Sequence, residues 1–188
     1  MAANATSPLV LGSPVIPAVI YAHLIPNSFY STFYYVNLIG ITVNNTPLAY
    51  PAGTFDINST SGIGGFIIDT GTTLTQLYSE TYGILKNAIS GLITYPFTTG
   101  YTDFDLCYNI AGVTSPVFPK VVFQFANLDV PMPSDNVFLL VDTAGTDYCM
   151  FIVDAGPGLS IFGNVQQQNF NVVYDLVNAR VGFTPTKC

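Results

Sequence analysis

Short apolar stretches alternate along most of the chain with turns rich in Pro, Gly, Asn and Asp. Apolar stretches of this length, rich in Val, Ile, Phe and Tyr, predict β-strands rather than long helices. The densest one covers residues 33–43. Within it, Ile39, Ile41 and Val43 are expected to share one face because side chains alternate along a strand. Further strands are predicted at residues 66–68, 117–125, 136–141, 148–153, 170–174 and 180–183.

Helical signals are few. Ser79 is suited to cap the start of a helix, and Gly91 is suited to follow its end. The residues between them place three apolar side chains on one face, namely Tyr82, Leu85 and Ile89. A short helical turn is also expected at residues 165–168. The pattern therefore predicts a single all-β domain over residues 1–188, many-stranded, with one or two short helices.

The composition is that of a folded chain with few charges, since hydrophobic residues make up 49% and charged residues only 8% of its 188 residues. Its net charge of -7 disfavours nucleic acid and anionic membrane surfaces as partners, because little is available to neutralise phosphates. Pro14 and Pro17 interrupt the most apolar stretch, so no membrane span is predicted. Residues 1–4 do not resemble a secretory signal, and any targeting sequence is expected outside this chain.

The candidate chemistry lies where the apolar strand 66–68 ends in Asp69-Thr70-Gly71-Thr72. A carboxylate at the end of a buried strand needs hydrogen bonds, because burying it without them is costly. The hydroxyls of Thr70 and Thr72 are suited to supply them, and Gly71 allows a tight turn. Asp-Thr-Gly is also ordinary turn composition, so the tripeptide alone leaves a simple turn as an alternative.

Other chemistries find little support. Serine and cysteine nucleophiles usually need a histidine base, and the chain has only His23, in a Pro-flanked apolar stretch. No cluster of Cys, His, Asp or Glu has the spacing of metal ligands, and no glycine-rich phosphate loop opens a helix. Neither a metal nor a cofactor is predicted. Carboxylate chemistry remains.

Several segments carry a family resemblance. The segment 64–74, with Asp69-Thr70-Gly71 at its centre, resembles the active-site loop of the pepsin-like aspartic proteases. Ile161-Phe162-Gly163 resembles the second signature of that family, which threads through the active-site loop. The plant, nepenthesin-like branch is resembled by three further segments, residues 33–36, 104–108 and 163–183.

The resemblance implies a specific fold and a specific set of roles. It covers nearly the whole chain but only the C-terminal half, or lobe, of a bilobal pepsin-like acid protease. Asp69 would be one of two catalytic aspartates, with Thr70 bracing the loop and Thr72 hydrogen-bonding Asp69. Ile161 would line the substrate cleft. The second aspartate would come from an N-terminal lobe that has no counterpart here, and Asp154-Ala155-Gly156 is better explained as a turn.

The three cysteines and three sequons bear on the compartment. Cys107 and Cys149 lie in predicted strands and are either paired or buried free thiols; the resemblance implies a disulfide. It also implies that Cys188 bonds to the absent region. Sequons at Asn4, Asn44 and Asn58 are weak indicators of glycosylation. A secreted protein is expected, extracellular, in the cell wall or vacuolar.

The predicted function is that of an aspartic endopeptidase lobe that cleaves peptide or protein substrates at acid pH. A lone lobe would be inactive until it pairs with a partner lobe. Two alternatives remain open. A homodimer could supply Asp69 twice, as in retroviral proteases, or the chain could be a non-catalytic binding protein similar to plant xylanase inhibitors.

Overall fold

The structure is a computed structural model that describes residues 8–12 and 19–186. Cys188, Asn4, Pro14 and Pro17 lie outside these residues. The described part contains the following strands, in chain order: β1 Ile20–Ile25, β2 Tyr34–Val36, β3 Leu38–Val43, β4 Thr46–Pro47, β5 Phe66–Ile68, β6 Thr75–Leu77, β7 Phe97–Thr98, β8 Cys107–Asn109, β9 Val121–Phe125, β10 Leu128–Pro131, β11 Phe138–Leu140, β12 Asp147–Met150, β13 Ile152–Asp154, β14 Ser160–Phe162, β15 Phe170–Asp175 and β16 Arg180–Pro185. The helices are α1 Ser79–Ser90, a 3-10 turn Ser134–Asn136 and α2 Asn164–Gln167.

The largest sheet has eight strands in the order β13-β6-β14-β5-β2-β1-β16-β15. Its centre is mixed, because β5 runs parallel to β14 and antiparallel to β2. Parallel neighbours cannot be joined by a tight hairpin, so the chain makes a long excursion between β5 and β14. The C-terminal ends of these two strands therefore meet at the same edge of the sheet.

Two four-stranded sheets accompany it, in the orders β10-β9-β3-β4 and β11-β12-β8-β7. In the second of these, Cys107 on β8 stands opposite Cys149 on β12. A disulfide joins the two residues, so the predicted pair is present. Both side chains are buried, which makes the bond part of the core.

The core is built around aromatic rings. Phe66 on β5 is fully buried, and its ring lies about 6 Å from those of three other phenylalanines on β9 and β14, namely Phe123, Phe125 and Phe162. Aromatic rings at this separation pack favourably beyond the area they bury. The strand that leads to Asp69 is therefore packed against β9 of a neighbouring sheet.

Helix α1 has the predicted apolar face, with Tyr82, Leu85 and Ile89 buried. Its start differs from the prediction. Ser79 is the first helical residue, and Tyr78 precedes it without a side-chain capping bond. The Ser79 hydroxyl donates instead to Asp154 Oδ1 at 2.7 Å, because the loop after β13 lies against the start of the helix.

The predicted face of 33–43 is wrong at one residue. Ile41 and Val43 are buried, whereas Ile39 is 61% exposed. The register of β3 against β9 shifts between Leu38 and Gly40, so Ile39 is the extra residue of a β-bulge. A bulge reverses the alternation on one side of it, which buries Leu38 instead.

Other boundaries also shift. Strand β9 begins four residues later than the predicted start at 117, and Asn136 belongs to the 3-10 turn rather than to β11. The predicted strand 148–153 is divided at Phe151 into β12 and β13, which lie in different sheets. The helical turn at 165–168 and the hairpin of β15 and β16 are observed, the turn displaced by one residue.

Candidate active site

Asp69 directly follows β5 and is half-buried. Its backbone N–H donates to the Phe162 carbonyl at 3.1 Å, which continues the pairing with β14. Oδ1 accepts the Gly71 N–H at 2.8 Å, and Oδ2 accepts the Thr72 hydroxyl at 2.7 Å. Each carboxylate oxygen thus has its own donor, so the group is oriented while part of it remains accessible to solvent.

The rest of the loop faces outward. Thr70 and Gly71 are exposed, and the Thr70 carbonyl accepts a hydrogen bond from Asn164 Nδ2 at 3.2 Å. Thr72 is half-buried, as its bond to Asp69 requires. The loop therefore presents Thr70 and part of the Asp69 carboxylate on one surface of the molecule.

The predicted second signature lies beside this loop. Ile161 pairs with Ile67 and Phe162 with Ile68. Phe162 is fully buried, whereas Ile161 is only half-buried. Gly163 follows, and a Cβ atom there would lie 2.4 Å from the Leu74 carbonyl carbon. The two backbones pass so closely at this point that only glycine fits.

Helix α2 completes the support of the loop. The Asn164 and Val165 N–H groups donate to the Thr72 and Thr73 carbonyls at 2.7 and 3.0 Å. The free N–H groups of a helix start need acceptors, and here the loop carbonyls provide them. The Asp69 loop is therefore hydrogen-bonded both to β14, through the Asp69 N–H, and to the start of α2, through the Thr72 and Thr73 carbonyls.

Two tyrosines at this site, Tyr34 and Tyr174, are not among the site residues that the sequence predicts. The rings of Tyr34 and Tyr174 lie 5.1 Å apart, and Tyr34 pairs with Ile68, next to Asp69. Burial, then the neighbouring Tyr34 and the charge of Asp69, raise the pKa of Tyr174 to about 12. Tyr174 is therefore a neutral phenol at all physiological pH values. Only the pairing of distant strands brings it here, so no local pattern could have indicated it.

Asp154 lies elsewhere. It ends β13, which is separated from β5 by β6 and β14. Strand β13 is parallel to β6, and β6 is antiparallel to β14, so β13 runs opposite to β5. The C-terminal ends of β13 and β5 therefore point in opposite directions, and the two strands are roughly 14 Å apart from the spacing of three neighbouring pairs. Asp69 and Asp154 cannot share one site.

Within residues 8–12 and 19–186, no group of three or more His, Cys, Asp or Glu side chains is arranged to hold a metal ion. In the same part of the chain, none of the helices has both the length and the apolar character that crossing a bilayer requires.

Comparison with known proteins gives matches over most of the chain. The family described as "Xylanase inhibitor C-terminal" matches residues 33–185. Aspartyl protease family protein 2 of Arabidopsis thaliana is 36% identical over 190 residues, which cover 100% of this chain and 39% of that protein. Aspartic proteinase nepenthesin-1 of Nepenthes gracilis is 37% identical over 167 residues, 88% of this chain and 38% of that protein.

Solved structures agree on the fold. The protein edgp superposes with a TM-score of 0.78 at 22% identity, over 89% of this chain and 45% of that one. Soybean basic 7S globulin gives a TM-score of 0.71 at 21% identity, over 88% and 44%. The chain thus spans less than half the length of each of these proteins.

Proposed function

The chain belongs to the plant, nepenthesin-like branch of the pepsin-like aspartic proteases, and we propose that it is the C-terminal lobe of an aspartic endopeptidase. In this proposal Asp69 is one of two catalytic carboxylates, and an N-terminal lobe supplies the other. The observation that carries the proposal is the geometry of Asp69, whose two oxygens are held by separate donors while the group stays partly exposed.

The chemistry follows from placing two such carboxylates together. They cannot both ionise at close range, so one keeps a proton. The ionised carboxylate draws a proton from a bound water, which attacks the peptide carbonyl. The protonated one donates a hydrogen bond to the carbonyl oxygen and stabilises the charge that develops on it. Asp69 alone can perform only half of this, so the lone chain is inactive.

The other residues have supporting roles in the proposal. Thr72 and Gly71 orient the Asp69 carboxylate through the bonds described above. Thr70, which is exposed beside it, would brace the loop against the partner lobe. Ile161 is the partly exposed member of the second signature and would line the cleft for the substrate, while Phe162 and Gly163 pack beneath it.

The compartment is part of the same proposal. The Cys107–Cys149 disulfide is typical of proteins that fold in an oxidising compartment. This supports a secreted protein, either extracellular or in the vacuole. Asn44 and Asn58 are exposed, as glycan acceptors have to be.

One observation favours a second candidate, a non-catalytic binding protein. The family that matches residues 33–185 is described as "Xylanase inhibitor C-terminal". In that case Asp69 would be an ordinary turn residue. Its solvent-accessible carboxylate, with a donor on each oxygen, favours the protease.

The deciding experiment joins this chain to the N-terminal lobe of a plant relative and measures peptide hydrolysis at about pH 3 to 5, where paired carboxylates titrate. Asp69→Asn keeps the shape of the side chain and should lower kcat by about a thousandfold or more. Asp154→Asn is the matched control, because it alters the same kind of turn away from the site, and it should leave kcat within about twofold.

The alternatives give different results in this assay. Absence of hydrolysis by the fused protein, in wild type and in Asp69→Asn alike, would support the binding protein. Activity of the unfused chain that rises with the square of its concentration at dilution, and is lost in Asp69→Asn, would support the homodimer. If the unfused chain hydrolysed peptides with a specific activity that did not change with its concentration, the proposal would be overturned.

A further inference from the structure

Gln166, on α2, has a fully buried side-chain amide that is hydrogen-bonded to the residue at the end of the Asp69 loop. Its Oε1 accepts the Thr75 N–H at 3.0 Å. Its Nε2 donates to the Asn136 carbonyl and, at 3.2 Å, to the Phe151 carbonyl. A glutamine amide offers one carbonyl and two N–H hydrogens, so every hydrogen-bonding group of this side chain is used.

The two ends of this amide contact different parts of the molecule. Thr75 begins β6, immediately after the loop that starts at Asp69. Asn136 lies in the 3-10 turn, and Phe151 lies between β12 and β13. Gln166 therefore ties the far end of the loop to backbone segments that come from outside the loop and its neighbouring strands. An apolar side chain would leave the Thr75 N–H and two carbonyls buried without partners, which is costly.

The side chain of Asn136 also bonds to the backbone of Gln166. Its Nδ2 donates to the Gln166 and Gln168 carbonyls at 3.3 and 2.6 Å, and its Oδ1 accepts from Asn169 Nδ2 at 3.1 Å. Asn136 is itself 1% exposed. A buried network with its members satisfied holds one arrangement, because each alternative breaks several bonds together. The position of α2 is thus set by side-chain amides as well as by packing.

Helix α2 is linked to the Asp69 carboxylate by hydrogen bonds through Thr72. Its first N–H groups hold the Thr72 and Thr73 carbonyls, and the Thr72 hydroxyl holds Asp69 Oδ2. We propose that Gln166 is a positioning residue for Asp69, acting through Thr75 on one side and through α2 and Thr72 on the other. The importance of this for catalysis rests on the proposed function, but the positioning itself can be measured without any proteolysis.

A purely structural role is the competing explanation, and Asn27 offers the matched control. Asn27 is 6% exposed, donates to the Gly62 carbonyl at 2.8 Å, and accepts the Phe29 and Tyr30 N–H groups at 3.0 and 3.3 Å. It makes the same number of hydrogen bonds as the Gln166 side chain, and none of its partners belongs to the Asp69 loop or to α2. Loss of either amide should reduce stability, but only loss of Gln166 should disturb Asp69.

The measurement uses NMR of the full chain, kept dilute. The Gly71 amide proton is bonded to Asp69 Oδ1, so its chemical shift should move when the carboxylate takes up a proton. In Gln166→Met, which keeps the length of the side chain without its polar atoms, this movement should shrink to less than about half. Asn27→Leu should leave it as in the wild type. A wild-type response of Gly71 in Gln166→Met would overturn the proposal.

Gln166→Glu is the conservative variant, and it decides the question if Gln166→Met does not fold. When neutral, the introduced carboxyl keeps an acceptor for Thr75 and one donor, so the Gly71 response should be close to wild type. When ionised, it faces the Asn136 and Phe151 carbonyls without any donor. Protection of the Thr75 and Val165 amides from hydrogen exchange should then fall by about tenfold, the equivalent of one hydrogen bond. Unchanged protection on ionisation would overturn the proposal.

Discussion

Two loops of this molecule begin in the same way and end differently. Asp69-Thr70-Gly71 and Asp154-Ala155-Gly156 each follow an apolar strand, and in each the glycine N–H donates to Oδ1 of the aspartate, at 2.8 and 2.7 Å. The first loop adds a hydroxyl from Thr72 on the other oxygen. The second adds the Ser79 hydroxyl on the same oxygen, and its Gly156 carbonyl accepts the Ser79 N–H at the start of α1.

The neighbours of the two loops explain the difference. Backbone of β14 and α2 lies against both sides of the Asp69 loop and is hydrogen-bonded to it. The Asp154 loop also has backbone partners, since the Ala155 N–H donates to the Leu77 carbonyl and the Gly156 carbonyl accepts the Ser79 N–H, but a Cβ at Gly156 would meet nothing within 4 Å. A similar aspartate–glycine turn is therefore half-buried against close backbone in one place and exposed, with room around its glycine, in the other. What distinguishes the candidate active site here is the close approach of β14 and α2, which are distant in sequence, to its loop.

The largest effect that tests this difference is expected for Gly163→Ala. The added methyl group would lie 2.4 Å from the Leu74 carbonyl carbon, and backbone on both sides cannot move away cheaply. The free energy of unfolding should fall by about 3 kcal/mol or more, with loss of the Gly71 N–H bond to Asp69. Urea denaturation measures the first, and hydrogen exchange the second. Wild-type stability in this variant would show that the two backbones are not tightly packed.

A smaller effect is expected for Gly156→Ala in the open loop. This position has room for a methyl group, but its φ of +74° is one that residues with a Cβ rarely adopt. The strain should cost roughly 1 to 2 kcal/mol, measured in the same urea experiment. Signals of the Asp69 loop should not change. If they did, the two loops would be coupled through β6 and could not be treated as independent.

The sequence alone could predict the candidate carboxylate but not most of its support. The apolar strand 66–68 and the Asp-Thr-Gly-Thr turn are local, so Asp69, Gly71 and Thr72 could be identified, and the resemblance located Gly163. Gln166 and Tyr174 could not be found in this way, because the partners that give them a role are the residues of other strands.

The same distinction holds for the fold. The many-stranded class followed from short apolar runs, and the face of α1 followed from helical periodicity. The prediction that Ile39 shares a face with Ile41 and Val43 was wrong because of the β-bulge. A bulge depends on the register of β3 against β9, which the sequence of β3 alone does not determine. Phe151 divides a continuous apolar run because its two halves pair with strands of different sheets.

A third pair of variants compares the side-chain donors of the two loops. Thr72→Val removes the hydroxyl from the half-buried Asp69 and should cost about 1 to 2 kcal/mol at neutral pH, since hydrogen bonds to charged groups are the stronger ones. Ser79→Ala removes the hydroxyl from the exposed Asp154 and should cost less than about 1 kcal/mol. Equal losses would mean that Asp69 is no better shielded from solvent than Asp154.

The smallest effect concerns α1, whose start contacts the Asp154 loop. Farther along α1, Lys86 and Tyr82 both donate to Asp105. Burial alone would raise the pKa of Asp105, but these two hydrogen bonds and the charge of Lys86 outweigh it and hold the pKa below its usual value of 3.8. A carboxyl whose pKa is lowered by folding stabilises the folded state at pH values above its pKa in the unfolded chain. This stabilisation is lost as the pH falls through its pKa in the folded protein.

Lys86→Met should therefore lower the free energy of unfolding at pH 7, and the loss should disappear below the folded pKa of Asp105. Side chains of Lys86 and Asp105 are 33% and 54% exposed, so solvent screening limits the loss to well under about 1 kcal/mol. Urea denaturation of both proteins between pH 7 and pH 2.5 measures it, and added salt should reduce it further. An equal loss at both ends of this range would assign the effect to packing of the lysine stem on Tyr82, whose ring centroid is 5.9 Å from Nζ, rather than to the charge.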